Sequence, residues 1–185
     1  MRYFIVLLFF ALFSTGCNLF QPRESEEPTK PADWHITTDT AEKCLENLEY
    51  AYNFKQNAVN YQSILSEQFE FFFDVQDISD FTLPTKWVRR DEITMLWDAH
   101  QATNEYQGMK LVMEKIPTQN DNHGANSVTF YRNYELRVDS LQRNFYGKFQ
   151  LLVEKESDGR WRITRWQDFR DNNEWTWGRM KNEFS

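Results

Sequence analysis

The sequence predicts an α+β domain with an antiparallel sheet, and three observations predict it. A strongly periodic helix opens the folded part. Three long segments of alternating apolar residues, Val128–Leu136, Phe145–Val153 and Trp161–Phe169, close it. No periodic helix falls between those strands, which excludes the strand–helix alternation of a parallel α/β fold.

The elements follow in order. Met1-Arg2 is a short positive start, and Phe4, Ile5, Val6, Leu7, Leu8, Phe9 and Phe10 form an apolar run. Ser14-Thr15-Gly16-Cys17 then brings small residues up to a cysteine. The apolar run is shorter than the roughly 20 residues of a membrane span, so residues 1–16 read as a signal peptide. Residues 17–33 hold Pro22, Pro28 and Pro31 among charges, the composition of a flexible linker.

The folded domain is expected over 34–185. Ala41, Cys44, Leu45, Leu48, Ala51 and Tyr52 make one helical stripe from Thr40 to about Phe54, with Asp39 and Glu42 as its capping pair. A short helix is expected over Ala58 to Leu65. Phe69, Phe71, Phe73 and Val75 alternate as a strand. Asp91 to Gln101 reads as a helix with Ile93, Leu96, Trp97 and His100 along one side. Leu111, Met113 and Ile116 suggest another strand, and Ser157-Asp158-Gly159 is a tight hairpin turn between the last two. Asn172 to Ser185, with Trp175, Trp177 and Met180, suits a terminal helix on its own domain, a pocket cover or a partner-binding tail.

Two resemblances come from these residues. The small residues before Cys17 resemble the lipobox of bacterial lipoproteins, although Ser14 stands where leucine is usual. The resemblance implies a lipid on Cys17, attachment to a membrane and a place in the cell envelope. Asn18, rather than Asp, points to the outer membrane under the sorting rule of enteric bacteria. Ordinary secretion with cleavage nearby is the alternative. The segments TAEKCLENLEYAY, FEFFF, RRDEITMLW and DGRWRITRWQDF resemble the nuclear transport factor 2-like superfamily, over about residues 38–170. That likeness implies a curved antiparallel sheet wrapped around the N-terminal helices, with a conical pocket. It implies no one function, because the superfamily contains enzymes, adaptors and subunits without chemistry.

Candidate pocket residues are Arg132, Arg165, Phe73, Phe130, Tyr134, Trp97, His100 and Asp168. Arg132 and Arg165 share parity with Phe130 and Ile163. They would meet an anionic ligand, pair with Asp74 or Glu70, or sit at the rim. His100 with Asp168 or Asp74 would be an acid–base couple, or His100 would simply pack at its helix end. His35 and His123 fall in a linker and a turn. Tyr131, Tyr146 and Trp166 fall on the opposite parity, suggesting either a homodimer face or a well-packed outer surface.

Other classes are excluded or unsupported. The chain carries a net charge of −7 without a dense basic patch, which argues against nucleic acid. Cys44 lies on the apolar stripe and reads as a small hydrophobe. No zinc spacing, glycine-rich phosphate loop or nucleophile elbow occurs, so no metal or cofactor is expected. The reading is a non-catalytic binding or interaction domain taking a small apolar or anionic ligand. An acid–base envelope enzyme is the alternative. A structural subunit with its cone filled by phenylalanines is the third.

Overall fold

The computed structural model describes residues 33–103, 108–171 and 175–185. The leader, Cys17 and the linker as far as Ala32 lie outside the described residues.

Helix α1 (Ala41–Asn53) buries Ala41, Cys44, Leu48, Ala51 and Tyr52, the stripe read from the sequence. Its cap is Thr40, whose hydroxyl accepts the amide of Lys43 at 3.3 Å. Asp39 instead pairs with the Lys43 ammonium at 2.8 Å. The short helix expected over Ala58 to Leu65 is replaced by 3-10 turns at Lys55–Asn57 and Tyr61–Ile64. Polar side chains there bond the backbone themselves: Asn57 donates to the carbonyls of Tyr50 and Asp33, and Ser63 to that of Asn60.

Strand β1 (Leu65–Phe72) starts four residues before the alternation of phenylalanines. Asp74 ends that alternation by capping α2 (Val75–Phe81), accepting the amide of Gln76 at 2.8 Å. β2 (Lys86–Val88) leads into α3 (Arg89–Ala102). β3 (Met109–Lys115), β4 (Asn122–His123), β5 (Ser127–Val138), β6 (Arg143–Lys155) and β7 (Trp161–Phe169) follow, then α4 (Trp177–Glu183). Gly159, at φ +81°, supplies the left-handed residue of the β6–β7 turn.

The seven strands form one sheet in the order β2-β1-β7-β6-β5-β3, with β4 also on β5. The sheet is mixed rather than wholly antiparallel. β1 lies parallel to β7, while the other pairs are antiparallel. Two strands from opposite ends of the domain thus meet at its centre. Between Val153↔Ile163 and Leu152↔Arg165 the β6–β7 register slips, leaving Thr164 as an extra residue. Beyond that bulge the inward side chains of β7 are Trp166 and Asp168, not Arg165 and Gln167. Trp166 is fully buried, so it does not belong to the outer face that parity assigned to it.

α1 packs on β3, β6 and β7. Phe69, Phe71, Phe130, Phe145 and Phe149 project from the sheet into the common core. No described helix is long and apolar enough to cross a membrane.

Candidate functional site

The interior between sheet and helices holds charge. Glu92 lies on the buried side of α3 with Met95, Leu96, Ala99 and His100, and it is fully inaccessible. A carboxylate so placed needs partners. Its Oε1 accepts the hydroxyls of Tyr61 at 2.9 Å and Tyr52 at 3.2 Å. Its Oε2 accepts the ammonium of Lys181 from α4, also fully inaccessible. Lys181 Nζ lies 4.1 Å from the ring centre of Phe71 and 4.9 Å from that of Trp166. Trp87 and Trp177 complete the surround, each at 5.8 Å. Ring faces stabilise a cation, more so when water is excluded. Burial pushes the Lys181 ammonium below the usual lysine range, and Glu92 pulls it back. Burial, then the Glu92 charge, holds Tyr52 and Tyr61 well above the usual tyrosine range, so both remain neutral donors.

A second set of bonds seats α4. The indole of Trp177 donates to Tyr52 Oη at 3.1 Å, and its amide to Tyr134 Oη at 2.7 Å. Its ring meets Trp166 edge-on, 4.4 Å between centres. Thr176 donates its hydroxyl to Asp77, and the Gly178 amide donates to Asp168 Oδ2 at 3.1 Å. Gly178 keeps this contact close: a Cβ there would lie 2.7 Å from Asp77 Oδ2, so the Asp77 carboxyl would have to shift. Burial, followed by repulsion from Asp77, raises Asp168 to about 7. Burial also raises Asp77, while Thr176 and Arg170 oppose it.

A carboxyl titrating near neutrality suits acid–base chemistry, but Asp168 is fully buried beneath α4. Several surface cavities flank the domain, and two of them lie near residues of the interior. One, of about 350 Å³, opens between α3 and the chain end and touches Trp87, Met95 and Phe184. The other, of about 450 Å³, lies beside Tyr146, Gly147 and Lys148. Neither is lined by Glu92, Asp168 or Lys181. Among the described residues no group of His, Cys, Asp or Glu is arranged to hold a metal ion.

No protein-family model matches the sequence, and no curated protein does. Solved structures do match the fold. A nuclear transport factor 2-like protein of unknown function from Pseudomonas putida aligns with TM-score 0.54 at 5% identity, over 72% of this chain and 85% of that one. Another such protein, from Shewanella oneidensis, gives 0.51 at 18%, over 71% and 97%. A conserved protein from Planctomyces limnophilus gives 0.52 at 8%, over 68% and 89%. The fold is nuclear transport factor 2-like. These similarities carry the architecture and no activity.

In this nuclear transport factor 2-like domain the cone is filled. Phe73, Phe130, Tyr134 and Asp168, read as pocket residues, are buried in its packed interior. Three others depart from their expected places. Trp97 is 44% exposed, since the buried face of α3 turns through Glu92, Met95, Leu96 and Ala99. Arg165 points outward past the bulge, its guanidinium 4.3 Å from the ring centre of Phe72. Arg132 is buried but closes on Asp121 at 2.6 and 2.9 Å, rather than on Asp74, Glu70 or an open pocket. The two arginines that suggested an anionic ligand therefore do not converge.

His100 forms no couple with Asp168 or Asp74. Its Nε2 lies 2.8 Å from the Ala51 carbonyl, and burial lowers its pKa, favouring the neutral ring. Asp74 accepts the Gln76 and Arg170 amides. His35 meets Glu46 and Asn47, and His123 is exposed on β4. Cys44 is fully buried, and burial drives its thiol far above the usual range. On the outer face Tyr146 accepts from Asn144 at 3.0 Å and donates to Glu135 at 3.3 Å, and Lys148 pairs with Asp171 at 3.1 Å.

Glu92, Lys181, Tyr61 and Trp177 were missed as a group. Glu92 precedes Met95, Leu96 and Ala99 at helical spacing, and Lys181 follows Trp177 by four. A charge inside an apolar stripe at both places was the available signal.

Proposed function

We propose that the protein is a lipid-anchored envelope protein whose domain binds rather than catalyses. Residues 1–16 would be its leader, and Cys17 its lipid-bearing residue and first mature residue. The observation that carries the binding reading is α4 seated over the cone. It covers Asp168 with the Gly178 amide and buries Trp177 and Lys181 in the interior. Acid–base catalysis has one specific support, the Asp168 carboxyl raised to about 7, and it requires α4 to leave.

Labelling with radioactive palmitate tests the anchor: wild type is expected to label, and equal labelling of Cys17→Ala would sink it. The binding reading is tested in the source bacterium by complementing a deletion. Asp168→Asn at normal protein level is expected to restore the phenotype. Failure of that variant, with wild type succeeding, would establish the acid–base reading instead.

A further inference from the structure

The surroundings of Lys181 are built by the rest of the domain. Glu92 comes from α3, Tyr52 from α1 and Tyr61 from the 3-10 turn before β1. The two hydroxyls fix one carboxylate oxygen and leave the other to the ammonium. Phe71, Trp87 and Trp166 come from three strands. Among the groups that surround the ammonium, α4 supplies only Trp177. Oriented carboxylate and ring faces are what a cation site needs before its cation arrives.

From this arrangement we infer that the cone is a primary alkylammonium site, occupied here by Lys181 as a tethered ligand. An incoming ligand carrying such a group displaces α4 and takes its place. The inference rests on the binding reading and names its ligand class. The ammonium lies among rings and meets one carboxylate, and the side chain behind it is fully buried, so the ligand joins a short alkyl chain to a terminal amine. A neutral or anionic head would leave Glu92 buried without its counter-charge, a penalty that selects against other classes. Trp87 belongs both to this surround and to the cavity beside the chain end, so its ring is the wall the site shares with that cavity. Its rim carries Asp91 and Asp98 against one arginine, Arg90, a balance that favours a cation.

The test is rescue of the full chain by n-propylammonium, the part of the side chain that Lys181→Ala removes. The variant is expected to melt below wild type. Above its dissociation constant the amine is expected to raise the Tm in proportion to the logarithm of its concentration, by about 3–5 °C for each tenfold increase. If the variant does not fold alone, the same titration is read as refolding by circular dichroism. Equimolar 1-propanol, of similar size and neutral, is expected to give no such rise. Wild type, in which the amine must first displace Lys181, should respond only at higher concentrations, and Glu92→Gln combined with Lys181→Ala should not respond at all. Equal effects of amine and alcohol, or a rise that persists without the Glu92 charge, would overturn the inference. So would an equal rise in wild type or no response in the variant. The Asp168→Asn complementation is independent of these outcomes, so the ammonium site can fail while the binding reading stands.

Discussion

Tyr134 and Trp177 are joined twice: the tyrosine hydroxyl accepts the tryptophan amide at 2.7 Å, and their ring centres lie 4.6 Å apart. Gly147 opposite Tyr134 on β6 leaves room for this contact. A Cβ at Gly147 would stand 2.6 Å from the Tyr134 hydroxyl and 2.8 Å from the Phe169 carbonyl. Gly147→Ala is therefore expected to destabilise by about 1–3 kcal/mol through overpacking. Urea unfolding measures the loss. Hydrogen exchange at the Trp177 amide should accelerate in the same variant.

Asp168 makes stability depend on pH. Its folded-state pKa, about 7, is above the ordinary carboxyl value. The folded protein therefore holds a proton that the unfolded chain releases. This contribution is present in full below about pH 4 and is lost as pH rises through about 7. Asp168→Asn keeps an acceptor for Gly178 and carries no titrating proton. Its stability relative to wild type should rise between pH 5 and pH 8, as read by urea unfolding at each pH.

The bulge at Thr164 gives adjacent residues opposite fates. Trp166 is fully buried and Arg165 is exposed. Trp166→Ala should cost about 3–5 kcal/mol, and Arg165→Ala about 0.5 kcal/mol or less. Thermal melts of the two variants decide it, and an unbulged strand would reverse their order.

Arg132 and Asp121 form a nearly buried pair, their side chains 6% and 8% accessible. Asp121→Ala leaves a buried guanidinium without its carboxylate and is expected to cost about 3 kcal/mol. Arg132→Met leaves Asp121 with the Tyr131 amide and the Lys115 ammonium as partners and keeps much of the volume, so it should cost less. Denaturant unfolding of both separates the desolvation penalty from the lost contact.

The legible parts of the fold are those where one face is apolar throughout. The stripe Ala41, Cys44, Leu48, Ala51 and Tyr52 and the alternation along β5 and β6 read directly, because burial and period coincide there. β7 is legible only to Ile163. Strict alternation carries Arg165 inward, and the three-residue step from Ile163 to Trp166 was the trace of the bulge. Hydropathy alone puts the face of α3 one residue out of phase, because Trp97, though large and apolar, sits on the solvent side. The charged centre was hardest to see. Glu92 and Lys181 are 89 residues apart, and either alone reads as an exposed helical charge.

The parallel union of β1 with β7 sets a timetable for folding. Phe71 is registered with Trp166, and Phe72 with Gln167, across almost the whole domain. Until the ribosome has added those last partners, β1 has only the three-residue β2 beside it and the core lacks one wall. Pairings this distant in sequence slow folding, because loop closure precedes the contacts that reward it. Under the export proposed above, that delay would keep the sheet from closing around an unfinished centre until the whole chain has crossed.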